Sequence, residues 1–228
     1  MTRTENTTIM SDSIRSDFEQ EVAVPVPGGI ELRGRLSAPA RAYGVVLFAH
    51  GRGSSRFSPR NQYVSNVLLK ASIGTLLIDL LTREEDSVYE KRFDIAALSA
   101  RLVDIIEWLK AEPHSKDLKL GLFGASTGAA AALQAAAMLP RDVACVVSRG
   151  GRPDLAGRES LERVAAPTLL IVGAHDDVVL QLNREAHAIL CCKKRLHVVP
   201  RATHLFEEPG TLEEAADVAK GWFEKHLR

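Results

Sequence analysis

Cysteine is scarce in this sequence, which has three cysteines among 228 residues. Cys191 and Cys192 are adjacent and Cys145 stands alone, so their spacing indicates no disulfide framework. Chains without structural disulfides are typical of reducing compartments, and we therefore expect a cytoplasmic protein. The first 20 residues are polar and lack the apolar stretch of a secretory signal. Residues 1–20 are therefore predicted to form a flexible arm.

The chain also lacks an excess of either charge and any long apolar run. Its 29 basic and 29 acidic residues balance, which argues against a nucleic-acid partner because such surfaces are basic. No apolar stretch approaches the roughly 20 residues that cross a bilayer, so no membrane contact is expected. No cluster of histidines and carboxylates has the spacing of metal ligands. We therefore expect a small-molecule substrate, no metal and no cofactor, while a homo-oligomer stays compatible with the sequence.

A regular alternation of strand and helix patterns runs through most of the chain. Val22–Val26 and Ile30–Leu36 flank a Pro-Gly-Gly turn, which predicts an antiparallel hairpin. After it, short apolar segments alternate with helical patterns, as is typical of a parallel, doubly wound α/β sheet. The chain between the strands at Val143 and Thr168 has room for one short helix, so no large cap domain is expected. Residues 21–228 are predicted to form a single domain.

The pentapeptide Gly124-Ala-Ser-Thr-Gly128 lies between an apolar strand, Leu118–Phe123, and an alanine-rich helix that ends near Met138. This is G-x-S-x-G in strand–turn–helix context, the pattern of a nucleophile elbow. Glycine is needed on both sides because a side chain would collide with the backbone of so tight a turn. The turn holds the Ser126 hydroxyl at the start of a helix, which predicts that Ser126 is a catalytic nucleophile.

A serine nucleophile needs a base, and a histidine base needs a carboxylate that fixes its tautomer. Loops that follow parallel strands meet at one edge of the sheet. Of the seven histidines, His204 follows the last strand and is the one expected to approach Ser126 from the opposite side. The other six are placed by the pattern in helices, within a strand, at the wrong edge or in other loops.

Three aspartates are candidates for the acid. Asp176 stands directly beyond its strand and is the preferred choice, which gives the chain order Ser, Asp, His expected of such a site. Asp177 precedes a helix and suits an N-cap, a structural role. Asp154 lies one strand earlier, beside a proline that suggests a simple turn.

An oxyanion formed at Ser126 would need two converging N–H donors. The backbone N–H of Thr127, which follows the nucleophile, is predicted to be one donor. The second is expected from the glycine-rich loop after the strand Val45–Ala49, through the backbone N–H of Arg52. Neighbouring glycines allow that backbone a close approach, and the donor does not depend on the arginine side chain.

With these residues in place, the chain resembles the α/β-hydrolase fold and, within it, the dienelactone-hydrolase-like group, from about Val22 to the C-terminus. The resemblance is carried by the segments 47–51, 124–128, 170–176 and 202–210. The chain is also similar to hydrolase domains that are sometimes fused to phosphoribosyltransferases, which implies a hydrolase but no substrate. Dienelactone hydrolases carry a cysteine nucleophile, whereas position 126 is serine. The resemblance thus implies a serine-hydrolase mechanism and not lactone specificity.

The resulting hypothesis is a serine hydrolase that cleaves carboxylic esters through an acyl-enzyme. The loops expected to line the site, 52–60, 82–91 and 149–157, are rich in charge and glycine, which favours short or compact acyl groups. One alternative is a catalytically inactive hydrolase fold that serves as a binding module. Another is a nucleotide-binding domain, suggested by Gly51-Arg-Gly53 after a strand and by Asp79. Arg56 at the position of the third glycine argues against it.

Overall fold

The computed structural model describes residues 18–51 and 54–228. The predicted arm at residues 1–20 therefore lies outside the described residues, apart from its last three positions. Those three positions belong to the first strand of the sheet. Arg52, the expected second oxyanion donor, also lies outside the described residues.

The described residues form an eight-stranded sheet in the order β1-β2-β4-β3-β5-β6-β7-β8. β1 and β2 pair antiparallel, β2 and β4 pair antiparallel, and all remaining neighbours are parallel. This confirms a mostly parallel sheet with an N-terminal antiparallel hairpin. The strands are β1 (Phe18–Val26), β2 (Ile30–Ala38), β3 (Gly44–Ala49), β4 (Gly74–Ile78), β5 (Lys119–Ala125), β6 (Val143–Arg149), β7 (Thr168–Gly173) and β8 (Lys194–Val199).

Helices cover both faces of this sheet. They are α1 (Pro59–Lys70), α2 (Arg83–Asp86), α3 (Ile95–Ala111), α4 (Thr127–Met138), α5 (Arg158–Arg163), α6 (Asp177–Ile189) and α7 (Thr211–Leu227), with 3₁₀ turns at Glu90–Phe93 and Pro153–Ala156. The connection from β6 to β7 holds only the second 3₁₀ turn and α5, in agreement with the absence of a large cap in the predicted fold. No helix in the described ranges is long and apolar enough to span a bilayer.

Alternate residues of the parallel strands enter two separate cores. In β3, Val45 and Leu47 pack into the core that contains α3 and α4, whereas Val46 and Phe48 pack into the core beneath α1 and α7. Strands that are buried on both faces must be apolar at nearly every position. That requirement explains the continuous apolar runs in the sequence. Because β3 to β8 run parallel, their carboxyl ends lie at one common edge.

The two edge strands of the sheet carry charge. β1 begins at Phe18 and not at Val22, because Glu19 and Gln20 continue the ladder against β2. Their polar, exposed side chains conceal the strand from a search for apolar alternation. At the opposite edge, β8 begins with Lys194 and Arg195.

The segment after β4 is more ordered than its charged sequence predicts. Residues 82–91 were expected to form a loop, but they contain α2 and part of a 3₁₀ turn. The Thr82 hydroxyl accepts the Glu85 N–H at 3.2 Å, and the Glu85 carboxylate accepts the Thr82 N–H at 3.0 Å. This capping box stabilises a helix too short to show apolar periodicity. Arg101 of α3 then holds Glu85 through two contacts of 2.7 Å.

Candidate active site

Ser126 occupies a strained turn between β5 and α4. Its φ of 52° and ψ of −123° lie outside the regions that residues with side chains normally adopt. Strain of this kind costs about 1–3 kcal/mol and persists only where the surroundings fix it. Here the Ser126 carbonyl accepts the N–H groups of Ala129 and Arg152 at 3.1 and 3.0 Å, and its own N–H donates to the Arg149 carbonyl at 3.4 Å. Three backbone hydrogen bonds therefore hold the turn in this conformation.

Glycines make this turn sterically possible. A Cβ added at Gly128 would lie 2.1 Å from the carbonyl oxygen of Ala49, and one at Gly124 would lie 2.4 Å from the Cα of Ala129. In the loop after β3, a Cβ added at Gly51 would lie 2.7 Å from the Cβ of Ser126. The loop after β3 thus passes directly against the serine, as the glycine pattern of the sequence requires.

His204 and Asp176 lie together at the same edge of the sheet. His204 Nδ1 is 2.6 Å from Asp176 Oδ2, and the aspartate side chain is only 14% exposed. An ionised carboxylate can only accept, so Nδ1 carries the proton and Nε2 is left as the acceptor. This is the tautomer in which Nε2 of a histidine can take a proton from a hydroxyl group.

The other two candidate aspartates are engaged differently. Asp176, and not Asp177, stands at the N-cap position of α6, yet its side chain makes no capping hydrogen bond. Asp177 is the first residue of the helix and is exposed. Asp154 accepts two hydrogen bonds from Arg152, at 2.8 and 2.7 Å. Among the three carboxylates, the contact with His204 thus belongs to Asp176.

The end of β6 links the histidine to the serine. A Cβ at Gly150, which has φ of 51°, would lie 3.7 Å from His204 Cε1 and 3.2 Å from the His204 carbonyl oxygen. The preceding residue, Arg149, accepts the N–H of Ser126. Arg149 thus contacts the nucleophile candidate, and the next residue lies beside the base candidate, with little space for a side chain between them.

The structure describes only one of the two predicted oxyanion donors. Thr127 is the first residue of α4, where N–H groups point out of the helix end, and it is buried. Arg52 lies outside the described residues, so its role stays a prediction. In the described ranges, no group of three or more histidine, cysteine or carboxylate side chains is arranged to hold a metal ion.

A cleft of about 630 Å³ lies between the loops after β3 and β4, and its lining includes His50, the neighbour of Gly51. Its wall includes Phe57 and Leu81, together with an ion pair between Arg56 and Asp79. Asp79 also accepts the Arg56 backbone N–H at 2.7 Å. That engagement occupies the carboxylate that the nucleotide-binding alternative would assign to a ribose. A second cavity, of about 700 Å³, lies beside Phe18 at the opposite edge of the sheet and away from Ser126.

His50 lines the same cleft but has a structural role. Burial lowers its pKa, although its hydrogen bond to Gly51 and the nearby Asp79 act in the opposite direction. The neutral ring accepts the Leu80 N–H at Nε2 (3.3 Å) and donates from Nδ1 to the Gly51 carbonyl (3.2 Å). His50 thus joins the loops after β3 and β4.

Sequence reasoning missed Arg149. This residue ends β6, and it is 7% exposed although arginine is rarely buried. Its only signal in the sequence is a charged residue at the last position of a mostly apolar strand.

Known proteins match this architecture over almost the whole chain. A dienelactone hydrolase from Anabaena variabilis is 53% identical, with a TM-score of 0.89, and the match covers 93% of this chain and 99% of that one. Est1E from Butyrivibrio proteoclasticus is 14% identical with a TM-score of 0.78, over 91% of this chain and 98% of that one. The second similarity shows the fold alone. No family model matches the chain.

Curated relatives occur in Mycobacterium tuberculosis strains CDC 1551 and H37Rv. Both are 55% identical over 214 residues, which is 94% of this chain, and both are named, provisionally, phosphoribosyl transferases. The chain spans 47% of the length of these relatives.

The strand order and the strained serine turn define an α/β hydrolase fold. Within that class, the 53% identity to the Anabaena protein over nearly both full chains is decisive. The chain belongs to the dienelactone hydrolase family.

Proposed function

We propose that this protein is a serine hydrolase that cleaves carboxylic esters, with Ser126 as nucleophile, His204 as base and Asp176 as the carboxylate. The observation that supports it most is the 2.6 Å contact between His204 Nδ1 and Asp176 Oδ2, at the edge that also carries the strained Ser126. Membership of the dienelactone hydrolase family agrees with this assignment.

The first half of the proposed reaction forms an acyl-enzyme. His204 Nε2 takes the proton of the Ser126 hydroxyl while the serine oxygen attacks the ester carbonyl carbon. The carbonyl oxygen becomes an oxyanion, for which the N–H groups of Thr127 and Arg52 are the proposed donors. The tetrahedral intermediate then collapses, His204 gives its proton to the alkoxide, and the alcohol leaves.

The second half releases the acid. Water gives a proton to His204 Nε2 and attacks the acyl carbon, and a second tetrahedral intermediate forms. Its collapse breaks the bond to the serine oxygen, which takes the proton back from His204. Throughout, Asp176 holds the imidazole in one tautomer and stabilises its charged form.

The proposed preference is for short or compact acyl groups. The Arg56–Asp79 pair lines the cleft between the loops after β3 and β4, and burying methylenes against charges forfeits the gain of about 0.8 kcal/mol per group. Val88, Tyr89 and Phe93 do expose apolar surface after β4, but outside the cleft lining. Hydrolysis of p-nitrophenyl esters of increasing chain length tests the preference. We expect kcat/KM to fall beyond short acyl chains, and a steady rise to long chains would contradict it.

Replacement of the nucleophile tests the central proposal. Ser126→Ala should abolish hydrolysis of p-nitrophenyl acetate and labelling by a fluorophosphonate probe, while thermal unfolding shows an intact fold. Ser160→Ala, in α5 and outside the elbow, is the matched control. It should still hydrolyse p-nitrophenyl acetate and react with the probe. Labelling that persists in Ser126→Ala would exclude Ser126 as the nucleophile. No labelling of the wild-type protein would favour the inactive binding module.

We also propose that the matching half of the mycobacterial relatives is a hydrolase domain. The chain spans 47% of their length, and it resembles hydrolase domains that occur fused to phosphoribosyltransferases. On this proposal, their name refers to the part that this chain does not match. Expression of the matching part of the mycobacterial protein should yield fluorophosphonate labelling at its equivalent serine.

A further inference from the structure

Arg149 is a buried cation without an anionic partner. The residue is 7% exposed, and none of the ion pairs in the described part of the chain includes it. One of its terminal nitrogens, Nη2, donates to Asn61 Oδ1 over 3.4 Å, whereas the other, Nη1, has no hydrogen-bond partner. A buried charge normally requires a partner because desolvation is costly.

The surroundings of the guanidinium do not neutralise it. Its Cζ lies 5.8 Å from the ring centres of both Phe123 and Phe206, so the cation contacts two aromatic side chains. Burial lowers its pKa to about 10, and the positive charge of Arg60 acts in the same direction. At neutral pH the group still carries its proton. The fold therefore maintains an uncompensated positive charge at considerable cost.

The backbone of Arg149 is in direct contact with the nucleophile. Arg149 pairs with Ala125 in the sheet, and its carbonyl accepts the Ser126 N–H. Phe123 belongs to the strand that leads into the elbow, and Phe206 follows His204 by two residues. The cation is thus enclosed by the segments that carry the proposed nucleophile and the proposed base.

We propose that the buried charge of Arg149 stabilises the negative tetrahedral intermediate at Ser126 through its electric field, without contact with the substrate. The proposal rests on the proposed serine-hydrolase function. A unit charge on the order of 10 Å from an oxyanion, at an effective dielectric constant of about 20, changes the rate by roughly tenfold. A charge that is in place before the reaction begins requires no reorganisation of its surroundings when the oxyanion forms.

Removal of the charge is the test. Arg149→Met and Arg149→Gln differ in shape but are both neutral, and each should lower kcat for p-nitrophenyl acetate by roughly tenfold with little change in KM. The melting temperature should not fall, since replacing an unpaired buried charge by a neutral side chain is often neutral or stabilising. Arg158→Met, which removes an exposed and paired arginine of α5, is the control and should leave kcat unchanged.

Two further measurements separate charge from packing. A boronic acid that forms an anionic tetrahedral adduct with serine should bind Arg149→Met about tenfold more weakly than it binds the wild-type protein. Phe206→Leu keeps the charge but removes one ring beside it, and should lower kcat much less. Equal losses in Phe206→Leu and Arg149→Met, or unchanged boronate affinity, would assign Arg149 to packing and overturn the proposal.

Failure of this inference is distinguishable from failure of the proposed function. If Ser126→Ala is inactive but both neutral variants keep the wild-type kcat, the serine mechanism stands and the role of Arg149 falls. If Ser126→Ala keeps full activity, both fall.

Discussion

The two sides of the edge that carries the candidate active site are held by different forces. On the β5–β6 side, the turn at Ser126 is fixed by backbone hydrogen bonds and by contacts so close that glycine is required. On the β4 side, the structure after the strand is held by side-chain ion pairs, Arg56 with Asp79 and Arg101 with Glu85. We call the first the rigid side, because close main-chain contacts fix it. We call the second the responsive side, because the Arg101–Glu85 pair within it lowers the pKa of Glu85 and is lost as pH falls. The proposed chemistry lies on the rigid side, and the cleft is bordered by the responsive side.

The largest effect is expected from the proposed base on the rigid side. His204→Ala should lower kcat by about as much as Ser126→Ala, on the order of 10⁶-fold, because the two residues act as a unit. The double variant should be hardly worse than either single variant. Steady-state hydrolysis of p-nitrophenyl acetate measures all three, and losses that multiply would contradict a shared step.

The next effect distinguishes the three aspartates. Asp176→Asn should lower kcat on the order of 10⁴-fold because the imidazole would adopt the wrong tautomer. Asp177→Asn and Asp154→Asn should retain most of the activity, since neither carboxylate contacts His204 in the structure. If Asp154→Asn were the inactive variant, the acid would belong to the end of β6 and not to that of β7.

A stability measurement then tests the steric character of the rigid side. Gly128→Ala would place a Cβ 2.1 Å from the Ala49 carbonyl oxygen, in a contact between backbone segments that cannot yield locally. We expect a loss of about 3 kcal/mol or more in the free energy of unfolding. Gly221→Ala is the control, because an added Cβ there meets nothing within 4 Å and helix α7 should gain about 0.5–1 kcal/mol. Urea unfolding measures both, and equal effects would refute the steric argument.

The smallest effect belongs to the responsive side and depends on pH. Hydrogen bonds from Arg101 lower the pKa of Glu85 from 4.5 to about 2. A lowered carboxyl pKa stabilises the fold above the unfolded value of 4.5, and the gain is lost as pH falls towards 2. Glu85→Gln should therefore lower the melting temperature by several degrees at pH 7. The difference should shrink below pH 4.5, and a constant difference would exclude ionisation as its cause.

The sequence predicts local features of the site better than tertiary ones. The elbow is contiguous, so Gly124, Ser126 and Gly128 indicate it together, and the alternation of strands and helices places His204 and Asp176 at the same edge. Their catalytic roles stay predictions. The burial of Arg149 could not be predicted, because it depends on Phe206, a residue 57 positions away that returns to the same edge. The capping box of the short helix α2, Thr82 and Glu85, can be found in the sequence. A helix of four residues is, however, too short to show apolar periodicity.

The charges on the two outer strands bear on how copies of this protein meet. Among the described residues β1 and β8 are the outer strands. Glu19 and Glu21 of β1 lie near Arg35 and Arg56, and β8 begins with Lys194 and Arg195. An unpaired strand edge is a template for another chain, and like charges placed along it oppose that pairing. We therefore expect the charged side chains of these outer strands to disfavour edge-to-edge pairing between two copies.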